Sequence, residues 1–254
     1  MENDEYGSIV GNPSAPFIDQ LAATYSLATD YYATTHPSEP NYVAMVSGST
    51  FGITDDGIHD LDGPSIFSQL ATAGLGWRAY EQNVPGGCFT GASADAAGRL
   101  DGLGASGSYV RKHDPAIMFT SVSGDPGQCA QIQPLAAFDP GAAPFEFITP
   151  NLINDMHDGT VAQGNAFLAA FVPAITGSAA FAAGGTLVIT FDEGTTNDGS
   201  LGDNGGQIAT LIVQKSIAPG SRIADYADHF SLLRSAEDLL GLPCLAAACD
   251  RSPL

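Results

Sequence analysis

The run Thr186–Phe191 is the feature that most constrains the fold of this chain. It reads Thr-Leu-Val-Ile-Thr-Phe after two glycines, and it is β-branched and almost wholly apolar. Such a run is typical of a strand that is covered on both faces within a parallel sheet. Parallel strands need crossover connections, which are usually helices. The run therefore favours an α/β protein.

Helical and extended patterns alternate around this run. The periodicity predicts helices over residues 15–28, 63–74, 161–175 and 230–240, and strands over residues 77–80, 145–150 and 208–213. This alternation is the pattern of α/β folds. Neither an internal repeat nor a low-complexity linker interrupts it, so the 254 residues (1–254) are expected to form a single domain.

The charge balance excludes one class of partner. The chain has 8 Lys+Arg against 28 Asp+Glu, a formal net charge of −20. Such a surface repels the phosphates of nucleic acids and the headgroups of anionic lipids over long range. We therefore expect no nucleic-acid partner. The sequence has no membrane-spanning run either, so no stable membrane insertion is expected.

The four cysteines indicate an oxidising compartment. They allow three pairings, and the short separation of Cys244 and Cys249 favours a local clip that leaves Cys88 to pair with Cys129. The sequence contains no CxxC motif, so a structural zinc site is not expected. Two disulfides and the lack of a signal peptide predict the trimmed form of a secreted or periplasmic protein.

Ser38 stands between two prolines in His36-Pro37-Ser38-Glu39-Pro40-Asn41-Tyr42, ahead of an apolar run. The prolines exclude a helix interior or a central strand, so we place Ser38 near a helix start. The amides and dipole of a helix N-terminus favour an incoming anion, which suits a nucleophile. The alternative is an ordinary N-cap serine.

Asp192 and Glu193 directly follow the predicted buried strand. Ligand sites in open α/β sheets lie beyond the carboxyl ends of strands, and adjacent carboxylates there suit a divalent cation. Two acids in a solvated loop of an acidic protein are the alternative interpretation.

Two histidine-containing segments are further candidates. Arg111–His113 is a local cationic exception, and Lys112 is one of only two lysines, so the segment suits a small anion. In Asn154–Gly159, His157 could bind a phosphoryl oxygen or donate a proton, with a neighbouring aspartate orienting it. A solvated strand edge and an Asp-rich turn are the respective alternatives.

Taken together, these segments resemble a known family. The family is that of the bacterial phosphoesterases, the secreted acid phosphatases and phospholipase C-like enzymes of the alkaline phosphatase superfamily. The resemblance implies a central, mostly parallel β-sheet flanked by helices. It spans nearly the whole chain and rests on these segments in this order: Glu2-Asn3-x-x-Tyr6, His36-Pro37-Ser38-x-Pro40-Asn41-Tyr42, Lys112-His113, Asn154-Asp155-Met156-His157-Asp158-Gly159, Phe191-Asp192-Glu193 and Asp228–Leu242.

The resemblance also implies the roles of individual residues. One divalent metal ion (Ca, Mg, Mn or Zn) would be held by Glu2, Asn3, Asp192 and Glu193, with Ser38 completing the shell. Ser38 would attack phosphorus, giving a phosphoserine that water then hydrolyses. The residues that would bind the phosphoryl group or protonate the leaving group are His113 and His157, with Asn41, Lys112 and Asp158 binding the substrate.

Two departures from the family pattern affect the predicted metal site. In the family an apolar strand precedes the Glu-Asn pair, whereas here Met1 alone precedes Glu2, so the first strand is expected to be missing or truncated. In addition, Glu193 stands where some relatives have aspartate. The longer side chain could reach a metal through a different geometry.

The function expected from these patterns is metal-dependent phosphomonoester hydrolysis of the acid phosphatase type. The substrate is expected to be a small phosphate ester, with a phospholipid or phosphoinositide headgroup as a further candidate. A phospholipase C-type phosphodiesterase is the alternative within the class. A secreted, non-enzymatic divalent-cation-binding protein is the alternative from another class.

Overall fold

Helices and strands alternate along the chain in the computed structural model, which describes residues 1–86, 88–95, 108–197 and 204–254. The helices are α1 Tyr6–Ile9, α2 Pro16–Thr24, α3 Ser38–Ser47, α4 Ile66–Ala73, α5 Pro115–Met118, α6 Thr120–Ser123, α7 Pro126–Cys129, α8 Val161–Thr176, α9 Ala179–Ala182 and α10 His229–Leu240. The strands are β1 Ser26–Ala28, β2 Tyr31–Tyr32, β3 Trp77–Glu81, β4 Ser93–Ala94, β5 Tyr109–Val110, β6 Ile132–Pro134, β7 Phe145–Thr149, β8 Thr186–Thr190, β9 Thr210–Gln214, β10 Ser221–Ile223 and β11 Ala227–Asp228. Short 3₁₀ turns occur at Arg111–His113, Leu135–Ala137 and Ala246–Asp250.

The described strands form two principal sheets, ordered β10-β1-β9-β8 and β6-β3-β7. In the second sheet β3 runs parallel to both neighbours. In the first, β1 is parallel to β10, but β9 is antiparallel to both β1 and β8. The α/β class is therefore confirmed. The strands of this α/β arrangement fall into two principal sheets, one parallel and one mixed.

The first two residues lie between the two sheets. The Met1 amino group donates to the carbonyl of Thr190 (3.1 Å), and the N–H of Asp192 donates to the carbonyl of Met1 (2.9 Å), which is the pattern of one parallel bridge. The N–H of Glu2 donates to the carbonyl of Asp155 (2.8 Å), in the turn segment that follows β7. Residues 1 and 2 thus take the position of a strand between the sheets and carry Glu2 into the interior.

Helix α3 is buried along its whole length. Pro40 lies in its first turn, where a missing N–H costs no intrahelical bond. Gly48 ends the helix at φ +71°, where a Cβ would lie 2.3 Å from the carbonyl oxygen of Leu245. Only glycine fits that backbone and that contact. The helix that begins with Ser38 is consequently fixed at both ends.

One helix boundary predicted from the sequence is wrong. Residues 15–28 have helical spacing, but α2 ends at Thr24 and Ser26–Ala28 forms β1. This segment pairs with β9 on one side and with β10 on the other. Backbone hydrogen bonds to two strands, which are long-range in sequence, outweigh the local apolar spacing.

Both expected disulfides are present, and they join Cys88 to Cys129 and Cys244 to Cys249. Within the described residues, no helix combines the length and the apolar character that crossing a bilayer requires.

Candidate active site

Four carboxyl groups converge where the two sheets meet. Glu2 and Asp155 come together through the backbone hydrogen bond described above, and Asp192 and Glu193 follow β8 after Phe191. All four are at most 5% exposed. The Ser38 hydroxyl lies within hydrogen-bond distance of two of them, 3.2 Å from Glu2 Oε2 and 3.0 Å from Glu193 Oε1. The structure therefore brings the predicted nucleophile to the predicted carboxylates.

The surroundings of these carboxyls disfavour their charged forms. Burial raises the pKa of Glu2 well above its usual range, and the charges of Asp192 and Asp155 raise it further. Burial likewise raises the pKa values of Asp155 and Glu193 to about 7. Carboxylates this close in a dry site require either protons or a cation for charge balance.

The donor set fits a divalent cation. Asp155 Oδ2 and Asp192 Oδ2 are buried oxygens that have no hydrogen-bond partner among the described residues. Glu2, His113 and His157 each offer a ligand atom, and these atoms lie within 4.8 Å of one another. Oxygen and imidazole donors suit Mn²⁺ or Zn²⁺, whereas the carboxylates alone suit Ca²⁺ or Mg²⁺. The buried, unpartnered oxygens are the structural reason to expect a cation here.

Asn3 lies beside two of the other predicted ligands, Asp192 and Glu193. Its backbone N–H donates to Asp192 Oδ1 (3.2 Å), so the main chain of this residue orients a carboxylate. Asn3 also lines an open cavity of about 270 Å³ together with His36, Pro37, Glu193, Gly194, Thr195 and Asn197. This cavity gives solvent access to the Glu193 side of the site.

His113 is a buried histidine of the site. Its ring stacks on Tyr42 with the centroids 5.1 Å apart, its Nε2 lies 3.3 Å from Glu2 Oε2, and its Nδ1 lies 3.5 Å from Asp155 Oδ2. Burial lowers the pKa of His113 well below its usual range, and the charge of Lys112 lowers it further. The imidazole is therefore neutral at pH 7 and offers one N–H donor.

His157 and Lys112 lie on the more exposed side of His113. His157 Nδ1 lies 2.8 Å from Asp158 Oδ1, and its Nε2 lies 3.4 Å from the Lys112 ammonium. The rings of His157 and His113 are 5.7 Å apart. Asp158, which we predicted to bind substrate, thus pairs with His157 and fixes the orientation of its ring. The two histidines and the lysine form one cluster of candidate hydrogen-bond donors to a phosphoryl group.

Asn41 has a different role in the structure from the substrate binding that the sequence predicted. Its Oδ1 accepts from the N–H groups of Thr34 and Thr35 (3.0 Å each), and its Nδ2 donates to the carbonyls of Thr35 and Pro37. These bonds use both amide donors and both acceptor sites, so none is left for a phosphoryl oxygen. Asn41 instead holds the turn that leads into Ser38.

Several residues of the site were not given a role from the sequence. Tyr42 donates its hydroxyl hydrogen bond to Glu2 Oε1, and His36 Nδ1 is hydrogen-bonded to Glu193 Oε2. His229 Nε2 lies 2.6 Å from the backbone carbonyl of Asp192. Tyr42 and His36 belong to the segment around Ser38, and that proximity in sequence was the available signal. For His229 the signal was its place at the start of α10.

A model of the phosphoesterase family matches residues 10–243 of this chain. The curated relatives include a phosphatidylinositol-3-phosphatase from Mycobacterium tuberculosis, which is 34% identical over 260 residues that cover 100% of this chain and 79% of that protein. An acid phosphatase from Aspergillus fumigatus is 28% identical over 255 residues, which cover 96% of this chain. The chain spans about half of that fungal protein (54%).

Solved structures share the fold at low sequence identity. A protein of the alkaline phosphatase superfamily from Vibrio parahaemolyticus superposes with a TM-score of 0.60 at 13% identity, over 98% of this chain and 66% of that one. A lipoteichoic acid synthase from Listeria monocytogenes superposes with a TM-score of 0.55 at 11% identity, over 95% of this chain and 69% of that one. At such identities the likeness is one of fold.

Proposed function

This chain belongs to the phosphoesterase family and is a phosphoric ester hydrolase, and we propose that it hydrolyses phosphate monoesters by attack of Ser38 on phosphorus with the help of one divalent metal ion. The observation that carries the proposal is the position of the Ser38 hydroxyl. It lies at the start of a buried helix and within 3.2 Å of two carboxyl groups whose pKa values burial raises.

The carboxyl groups support the activation of Ser38. Glu2 Oε2 and Glu193 Oε1 are the acceptors available to the hydroxyl proton as the oxygen attacks. The residues that would hold the cation are Glu2, Asp192 and Glu193, with Asp155 adding negative charge behind them. A divalent cation bound there lowers the pKa of a nearby hydroxyl and stabilises charge on phosphoryl oxygens.

Lys112, His113 and His157 support the recognition of a phosphoryl group. Lys112 provides a charged donor, and neutral His113 provides an N–H donor that burial holds in place. Asp158 orients His157 from outside, so its Nε2 faces the site beside Lys112. His157 is therefore the group we assign to protonate the leaving oxygen. After the phosphoserine forms, water would hydrolyse it at the same site.

The relatives support a monoester substrate. Their names describe an acid phosphatase and a phosphatase of phosphatidylinositol 3-phosphate, and both reactions release inorganic phosphate from a monoester. A phosphoinositide headgroup or a small soluble monoester is the substrate class we propose. The two disulfides also fit a secreted or periplasmic location.

The proposal is tested with p-nitrophenyl phosphate in the presence of Ca²⁺, Mg²⁺, Mn²⁺ or Zn²⁺. We expect Ser38→Ala to lower kcat by about a thousandfold or more while Mn²⁺ binding, measured by calorimetry, is retained. Ser47→Ala at the other end of α3 is the matched control, since its hydroxyl donates to the Val43 carbonyl away from the site. Unchanged turnover in Ser38→Ala would refute the nucleophile. A parent protein that binds cations but turns over no ester would favour the non-enzymatic alternative.

A further inference from the structure

The loop over residues 49–62, between α3 and α4, carries a carboxylate to the edge of the site. Asp56 Oδ1 accepts from the N–H of Glu39 (3.0 Å), and its Oδ2 accepts from the ammonium of Lys112 (2.9 Å). Glu39 is the residue after Ser38, and Lys112 is the residue proposed above to donate a hydrogen bond to the phosphoryl group. One carboxylate thus contacts two groups on the phosphate-binding side of the nucleophile.

The loop is held at this position by two further pairs. Glu39 Oε1 lies 2.8 Å from His59 Nδ1, and the Glu39 side chain is buried. Arg111 Nη2 donates to Asp60 Oδ1 (2.7 Å) and to the carbonyl of His59 (3.1 Å). The loop member of each pair, His59 or Asp60, lies within four positions of Asp56 in the sequence. The carboxylate is therefore presented to Lys112 by a clamped segment, in contrast to the neighbouring Asp55, whose side chain is mostly exposed.

The two groups that donate hydrogen bonds to Asp56 are of the kind that bind phosphoryl oxygens. The N–H of Glu39 belongs to the first turn of a ten-residue helix. Helix N-termini and lysine ammonium groups commonly donate hydrogen bonds to phosphate. Burial lowers the pKa of Lys112, but the hydrogen bond and the charge of Asp56, together with the charges of Glu2 and Asp192, outweigh this and raise it. Part of the lysine's charge is consequently already matched before a phosphate arrives.

We propose that Asp56 competes with the phosphoryl group for Lys112. Asp56 thereby weakens the binding of both the substrate and inorganic phosphate. This inference rests on the proposed function, because it takes Lys112 as a donor to phosphate. Its consequence is faster release of inorganic phosphate, the product, from a site that offers several hydrogen-bond donors to an anion.

The test is the neutral variant Asp56→Asn in the metal-loaded, disulfide-intact protein. Its amide oxygen can still accept from the N–H of Glu39, so the loop contact is retained. We expect the inhibition constant of inorganic phosphate and the KM for p-nitrophenyl phosphate to fall by about five- to tenfold, since a repelling charge next to the anion is removed. Asp62→Asn, which removes the same charge from an exposed aspartate of the same loop, should change neither constant by more than about twofold.

Two outcomes would overturn the inference. If both constants rise in Asp56→Asn, the carboxylate serves to anchor Lys112; if they stay unchanged, it has no influence on the anion. Asp56→Ala provides a second variant that lacks both hydrogen bonds. The rise in Tm that inorganic phosphate produces is a readout that needs no turnover. It therefore distinguishes failure of this inference from failure of the proposed enzymatic function, which an inactive parent would show.

Discussion

Replacing Asp155 by asparagine tests whether the carboxyl cluster stores electrostatic strain that a cation relieves. Asp155 is fully buried, and its Oδ1 accepts from the N–H of His157 (2.8 Å), a bond that an amide oxygen preserves. Its Oδ2 accepts no hydrogen bond from the part of the chain that the structure describes and lies 3.5 Å from His113 Nδ1. The variant is nearly isosteric, so the difference that remains is the charge.

The magnitude follows from the pKa of Asp155, which burial raises from 3.8 to about 7. Between these values the native state binds more protons at this group than the unfolded chain, so the free energy of unfolding of the cation-free parent falls as the pH rises. Each unit of pKa shift corresponds to about 1.4 kcal/mol. At pH 8, Asp155→Asn is therefore expected to be more stable than the parent by up to about 4 kcal/mol, and at pH 5 by roughly 2 kcal/mol.

The assay is urea unfolding in EDTA at pH 5 and at pH 8, with the disulfides intact. Asp62→Asn, an exposed aspartate in the loop before α4, is the control and should stay within about 0.5 kcal/mol of the parent at both values. Saturating Mn²⁺ should raise the stability of the parent more than that of Asp155→Asn, because the variant has one fewer negative charge for the cation to balance. The reasoning would be refuted by a variant that is less stable than the parent at pH 8, or by a gain that does not shrink on acidification.

Two further predictions concern the anion site and the covalent framework. Lys112→Met should raise both KM and the inhibition constant of phosphate by about ten- to a hundredfold with a smaller change in kcat, because a charge-assisted hydrogen bond is lost; Lys215→Met, the other lysine of the chain, should leave both constants unchanged. Replacing the Cys88–Cys129 disulfide, which spans 41 residues, by two alanines should lower the free energy of unfolding in urea by about 4 kcal/mol through the entropy of the unfolded chain. A loss below about 1 kcal/mol would contradict that account.

The residues of the site that could be predicted from the sequence are those in short segments with strong local constraints. Ser38 lies between two prolines, and Asp192 and Glu193 follow a strand that is recognisable from its composition. Both placements are confirmed, since Ser38 begins α3 and the two acids follow β8. Each of these inferences needed only the backbone preferences of a few neighbouring residues.

The contacts that assign finer roles could not be predicted in this way. Asn41 lay in a recognised segment, yet its amide is consumed by the turn at residues 34–37. Asp56 lay in no recognised segment, and its partner Lys112 is 56 positions away. The bond between His36 and Glu193 joins residues 157 positions apart. Such contacts depend on the path of the chain through both sheets, which local periodicity does not encode.

The sequence by itself therefore determined the α/β class, a strand with two acids after it, the helix that starts at Ser38 and the acidic charge balance. The expected burial of that strand inside a parallel sheet is wrong, because among the described strands β8 pairs only with β9, in the antiparallel direction, and Ile189 is its one buried residue. Tertiary structure alone decided how these pieces act on one another. Residues 1 and 2 are held between two sheets, and Glu2 comes within 3.2 Å of a hydroxyl 36 positions away. The physical reason is that backbone preferences act over a few residues, whereas burial and charge depend on which distant groups share the same dry space.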